Sequence, residues 1–169
     1  MAFSRWIYKG CGGLAAAMLC FIAVLIILQI FLRAIGHQIP SADDFAAWAL
    51  SASIFLALPS ALIHGSHIRV TSLRGLIRDP FGRYMDIAAS LIALAMLAWG
   101  TVALIDFVWD SYRYNDVSHG LIAVPLWIPQ IAMVLGSVLF TAAMAERAIR
   151  LFLGLPVEIT TASTESTEV

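Results

Sequence analysis

The chain has 169 residues, of which 61% are hydrophobic and 12% are charged, with a mean hydropathy of +0.89 and a formal net charge of −1. A water-soluble domain of this size needs far more polar surface, so the composition points to lipid as the solvent. No basic run with interleaved aromatics is present, which argues against a nucleic-acid partner.

Four uncharged stretches follow one another, at 10–32, 45–63, 87–105 and 120–145. A helix needs about 20 apolar residues to cross a hydrocarbon core of about 30 Å. Each stretch is near or above that length, and a backbone exposed to lipid must be helical or closed into a barrel. The period-two alternation of barrel strands is absent. The expectation is an all-α integral membrane protein with helices at about 10–33, 44–64, 86–107 and 120–147, forming one domain over 1–155. The first stretch is too long for the core of a cleaved signal peptide and no small-residue cleavage site closes it, so it reads as a retained span.

Lys and Arg in short loops set the orientation. One side carries Arg5, Lys9, Arg69, Arg74, Arg78, Arg83, Arg147 and Arg150, and the other only Arg33 and Arg113. Both termini and the 64–86 loop are therefore expected in the cytoplasm. The outer loops hold Asp43, Asp44, Asp106, Asp110 and Asp116 and form an acidic face. Within the inner loop, Thr71 or Ser72 would cap a short interfacial helix. Its Leu73, Leu76 and Ile77 would face the membrane, and Asp79-Pro80 would end it. The Thr-, Ser- and Glu-rich tail at 156–169 reads as a disordered cytoplasmic segment.

The polar residues are few and their chemistry is limited. Every Asp, Glu, Lys, Arg and His falls at or beyond the end of an expected helix, whereas ion coupling needs a carboxylate inside the bundle. Cys11 and Cys20 lie on opposite faces of one helix and read as small apolar packing residues. His37 and His119 fall outside while His64 and His67 fall inside, so a haem could use only a same-side pair; His64 and His67 stand three apart on adjacent turns of one chain, where capping or headgroup contact is preferred to metal binding. No catalytic residue, cofactor or metal is expected. Gln29 lies one turn before Arg33 on the same face. Two readings stand for it: an interhelical hydrogen bond toward Asp43 or Asp44, or a side chain that reaches water on its own.

Helix two carries Ala49, Ser53, Ala57, Ala61 and Gly65 at four-residue spacing, a register that lets helix backbones approach closely. Helix four has Ser137, Thr141 and Ala145, with Ala132 and Gly136 beside them. Such stripes serve packing within the bundle or contact with another chain. Pro59 is expected to kink helix two, and Pro125 and Pro129 to open helix four. Trp48, Trp109 and Trp127 near one boundary and Trp6 near the other form an aromatic belt.

Three strings in order then resemble one family. Gln29-x-x-x-Arg33 ends helix one and is followed by the acidic pair Asp43-Asp44, where the family more often has two glutamates. His67-Ile68-Arg69-Val70 follows helix two, with Thr71 where an aspartate commonly stands. Pro125-x-Trp127 opens helix four, with Gly136 further in. Over about residues 5–153 the chain resembles the DctQ-type small membrane subunit of tripartite ATP-independent periplasmic (TRAP) transporters.

That resemblance implies a scaffold in a bacterial inner membrane, held beside a large membrane subunit and among lipids. The large subunit would move an organic acid inward on a sodium gradient. A periplasmic binding protein would deliver the acid through a transient contact. It also implies that Arg33, Asp43 and Asp44 shape the outer end and that His67 and Arg69 form a cytoplasmic motif. The competing readings are a stand-alone oligomeric transporter and a four-helix membrane redox protein.

Overall fold

A computed structural model describes residues 2–64 and 81–153, with side chains for 6–62 and 84–153. It contains four helices: α1 (Ala2–Ala34), α2 (Ala42–His64), α3 (Phe81–Arg113) and α4 (Trp127–Phe152). All four are long and apolar enough to cross a membrane, and among the described residues there is no strand. The expected interfacial helix, together with Gly65, His67 and Arg69, lies outside the described residues, as does the tail at 156–169.

The principal packing runs α1 on α2, α2 on α4 and α4 on α3. The order across the bundle is therefore α1–α2–α4–α3, with the second and fourth helices central. Burial follows that order: 28% and 22% of the most apolar windows of α2 and α4 are buried, against 6% in each of α1 and α3. The flanking helices turn most of their circumference outward, and an apolar surface there is at home in lipid.

Two helix lengths differ from expectation. α1 and α3 each have 33 residues, and at 1.5 Å per residue such a helix runs about 50 Å, well past the hydrocarbon core. The extra turns carry Lys9, Asp110 and Arg113, so these charges sit on helix ends rather than in loops. α4 behaves in the opposite way and starts at Trp127 rather than 120. Residues 116–126 have another use for their amides: Ser118 N–H donates to the Val124 carbonyl at 2.9 Å and Leu126 N–H to the Asp116 carbonyl at 2.9 Å. Val117 and Pro125 form a bridge between them. Pro125 has no N–H to give, and the helix begins only after it.

The ends of α1 and α3 share one solution. After α1, His37 N–H reaches back to the Leu32 carbonyl (2.8 Å) and Gly36 N–H to that of Arg33 (3.2 Å), with Gly36 at φ 78. After α3, Asp116 N–H bonds the Ser111 carbonyl (3.1 Å) and Asn115 N–H that of Tyr112 (3.3 Å), with Asn115 at φ 52. Both are Schellman caps, and glycine and asparagine are the residues that tolerate the left-handed position. The caps bring 35–41 and 114–126 to one end of the bundle, hereafter the turn end; the starts of α1 and α3 lie at the other.

At mid-bundle the chain uses three devices. Pro59 in α2 is fully buried and cannot donate to the carbonyl four residues earlier, which is that of Phe55. Gly136 of α4 lies against that same carbonyl: a Cβ added there would stand 2.5 Å from the Phe55 carbon and oxygen. Only glycine fits such a crossing, which falls at the carbonyl that Pro59 cannot serve. Gly12 of α1 leaves room for the Ser60 side chain of α2. The second device joins α3 to α4, where Thr101 Oγ1 lies 2.7 Å from Ser137 Oγ and 2.8 Å from Thr141 Oγ1. The third is ordinary apolar packing, with Ala49, Ala52 and Leu56 of α2 and Ala143, Met144 and Ala148 of α4 buried.

Candidate functional site

The turn end gathers the polar residues that the sequence placed together. Asp43 and Asp44 sit in the first turn of α2, where the unpaired N–H groups and the helix dipole favour negative charge. Asp43 is exposed, whereas Asp44 is half-buried against the α3–α4 connection: a Cβ on Gly120 would collide with its Oδ2 and with Ser41 Oγ. Ile122 N–H donates to Ser41 Oγ at 3.0 Å. Gln29 is half-buried in α1, and Arg33 is exposed in its last turn. Among the described residues no hydrogen bond or ion pair joins Gln29, Arg33, Asp43 and Asp44 to one another. The four share one end of the molecule without forming a bonded cluster.

The stripe on α2 divides along its length. Ala49 and Ser53 are buried, Ala57 is half-buried and Ala61 is exposed. Ser53 Oγ donates to its own helix at the Leu50 carbonyl (2.8 Å), so it contributes small size and not a cross-helix bond. Ala49 and Ser53 thus pack within the bundle, and Ala61 turns toward the surface.

Tryptophans gather at the turn end. Phe45 meets Trp48 edge-on at 5.2 Å, and Tyr112 links Trp109 (6.0 Å) to Trp127 (5.7 Å, T-shaped). Trp6 is 77% exposed at the opposite end. That opposite end also carries the charges of the last turns of α4, where Arg150 pairs with Glu146 at 2.7 Å. With glutamate one turn before arginine, the pair has the favourable orientation on a helix. Among the described residues no group of three His, Cys, Asp or Glu is placed to hold a metal ion.

Sequence reasoning passed over Ser41, Gly120 and Ile122, which join the hairpins at the turn end, and Thr101, which joins α3 to α4. Only Gly120 carried a visible signal, as a glycine in an acidic loop. The partnerships of Ser41 and Ile122 span 81 residues and have no local signature.

The bundle, with its apolar spans and polar turn end, matches one known family. The model of that family, described as tripartite ATP-independent periplasmic transporters, DctQ component, covers residues 22–154. No curated protein and no solved structure matches the chain. The matched segment runs from mid-α1 to just past α4 and so includes three helices whole and every turn-end residue described above. The chain belongs to the DctQ family, the small membrane component of TRAP transporters.

Proposed function

We propose that this protein is the stator of a TRAP transporter: a fixed membrane scaffold beside which the large membrane subunit carries out sodium-driven uptake of an organic acid, delivered by a periplasmic binding protein. The observation that carries the reading is the family match over 22–154. The family is a transporter component and not an enzyme family. Physical support comes from the spans themselves. No Asp, Glu, Lys, Arg or His lies within 10–32, 45–62, 87–105 or 127–145, so these segments lack the carboxylate that ion coupling uses. A bundle held by a glycine crossing and a hydroxyl triad is suited to standing still.

In this reading the bundle sits in the bacterial inner membrane with both termini in the cytoplasm, as the loop distribution of Lys and Arg favours. The turn end then faces the periplasm, with Asp43 and Arg33 at its surface and Asp44 half-buried beside them, and Trp48, Trp109 and Trp127 hold its depth against Trp6 on the inner side. His67 and Arg69 would serve as a cytoplasmic motif. Exposed Ala61, with Gly65 next in the same sequence register, would pack on the large subunit, while Ala49, Ser53, Ala57 and Gly136 hold the bundle.

The test is a mild-detergent purification of tagged protein from native membranes, with every co-purifying chain identified and quantified. A large polytopic membrane protein in equal amount is the expected result. Recovery of this chain alone, intact and monodisperse, would overturn the stator reading.

A further inference from the structure

The two helical hairpins, α1–α2 and α3–α4, meet along the bundle through α2 and α4. At the turn end they meet again, through a contact of a different kind. Ser41 immediately precedes α2, the position from which a serine hydroxyl ordinarily accepts an N–H of its own first turn. Here the Ser41 carbonyl accepts Phe45 N–H at 3.2 Å, and the hydroxyl is turned to the other hairpin, where it accepts Ile122 N–H at 3.0 Å. Ser41 holds this pose with a left-handed backbone, φ 55, a strained setting for a residue that has a Cβ. Strain of that kind persists only where the surroundings impose it.

The partner segment is shaped to match. Gly120 lies outside the left-handed region, so its backbone makes no demand for glycine; the demand is for space, since a Cβ would strike Asp44 Oδ2 and Ser41 Oγ. The segment is also braced from within. Ser118 Oγ donates to the Ile122 carbonyl at 3.0 Å, and the Ser118–Val124 and Leu126–Asp116 backbone bonds close its base. Ile122 therefore offers its N–H from a braced loop.

We propose that this contact is a clasp: residues 116–126 lock the two hairpins together at the turn end, so that the four helices move as one body. Its use to a complex rests on the stator role proposed above, whereas its existence is a property of this chain alone. Without the clasp the hairpins would still be joined at Gly136–Phe55 but would be free to rock about that crossing.

The test measures spin-label distances in the full-length chain in lipid nanodiscs, with Cys11 and Cys20 replaced by serine. One label pair, at Phe31→Cys and Phe107→Cys, spans the hairpins near the turn end; a control pair, at Phe31→Cys and Leu50→Cys, lies within the first hairpin. All three sites are exposed. Ser41→Gly removes the hydroxyl while relieving the backbone, so it separates the clasp from the turn. Gly120→Ala fills the space between the partners. Both variants are expected to lengthen and broaden the spanning distance and to leave the control distance as narrow as in the parent. An unchanged spanning distance in Ser41→Gly would overturn the clasp, as would equal broadening of both pairs, which would mean that the contact supports a hairpin and does not join two. Should Gly120→Ala fail to fold, Ser41→Gly alone decides. Failure of the large subunit to co-purify would sink the stator reading and leave these distances untouched.

Discussion

Replacing Gly136 by alanine adds one carbon at the close crossing of α2 and α4. That carbon would stand 2.5 Å from the carbonyl carbon and oxygen of Phe55 and 2.8 Å from its Cβ, where ordinary contact begins at 3.4 Å. Two of the three obstructing atoms are backbone, so no rotamer change relieves them, and α2 and α4 must part by roughly 1 Å. Overpacking of this kind costs about 1–3 kcal/mol, and parting the helices also loosens the neighbouring contacts of Ala52, Leu56 and Ala143. The assay is reversible unfolding of the purified chain in mixed micelles with rising SDS fraction, followed by far-ultraviolet circular dichroism. Gly100→Ala is the control, because nothing lies within 4 Å of a Cβ at that position. The midpoint of Gly136→Ala should fall clearly below those of the parent and of Gly100→Ala. Coincident midpoints for all three would refute the close crossing at the Phe55 carbonyl.

Thr101→Val keeps the shape of the side chain and removes both hydroxyl bonds to α4, with an expected loss of about 1 kcal/mol, since single bonds between membrane helices average about 0.6 kcal/mol. Ser137→Ala removes one of the two and should cost less in the same unfolding assay; a larger loss than for Thr101→Val would contradict the shared geometry. Ala61→Leu adds bulk on an exposed face, so the isolated chain should unfold as the parent does while the yield of complex with the large subunit falls. A full yield of complex would remove Ala61 from the interface. Arg33→Ala should impair solute uptake or assembly, and cells that show parental uptake and complex yield would end the role proposed for that side chain.

The number of helices and their core extents were legible because hydrophobic length is a property of contiguous sequence. The ends were less so. The sequence ends the third helix at about residue 107, yet α3 runs on through Asp110 to Arg113 because a helix that has left the hydrocarbon can carry charges at no great cost. The start of α4 was misplaced for a different reason: the uncharged run from Gly120 to Leu126 satisfies its amides in a small bridged loop. Gly36 and Asn115 had the composition of helix stops, and the structure shows them in that role. At the candidate site, spacing placed Gln29, Arg33, Asp43 and Asp44 at one end. It could not disclose that Asp44 abuts Gly120, because that proximity arises only when two hairpins distant in sequence dock. The small-residue stripe was visible as a stripe, but its division at Ala57 depends on where α4 crosses.

α3 is apolar on nearly every side, so lipid gives it no preferred rotation about its own axis. The hydroxyl triad supplies one. Thr101 faces α4 because Ser137 and Thr141 sit one turn apart to receive it, and with that azimuth fixed, Met96, Trp99 and Val102 are held pointing away from the bundle, Trp99 at 78% exposure. Three small oxygens in mid-membrane thus decide which surface this protein shows to its neighbours. The Trp99 indole, aimed outward by hydrogen bonds behind it, is a fixed landmark on the apolar middle of that helix.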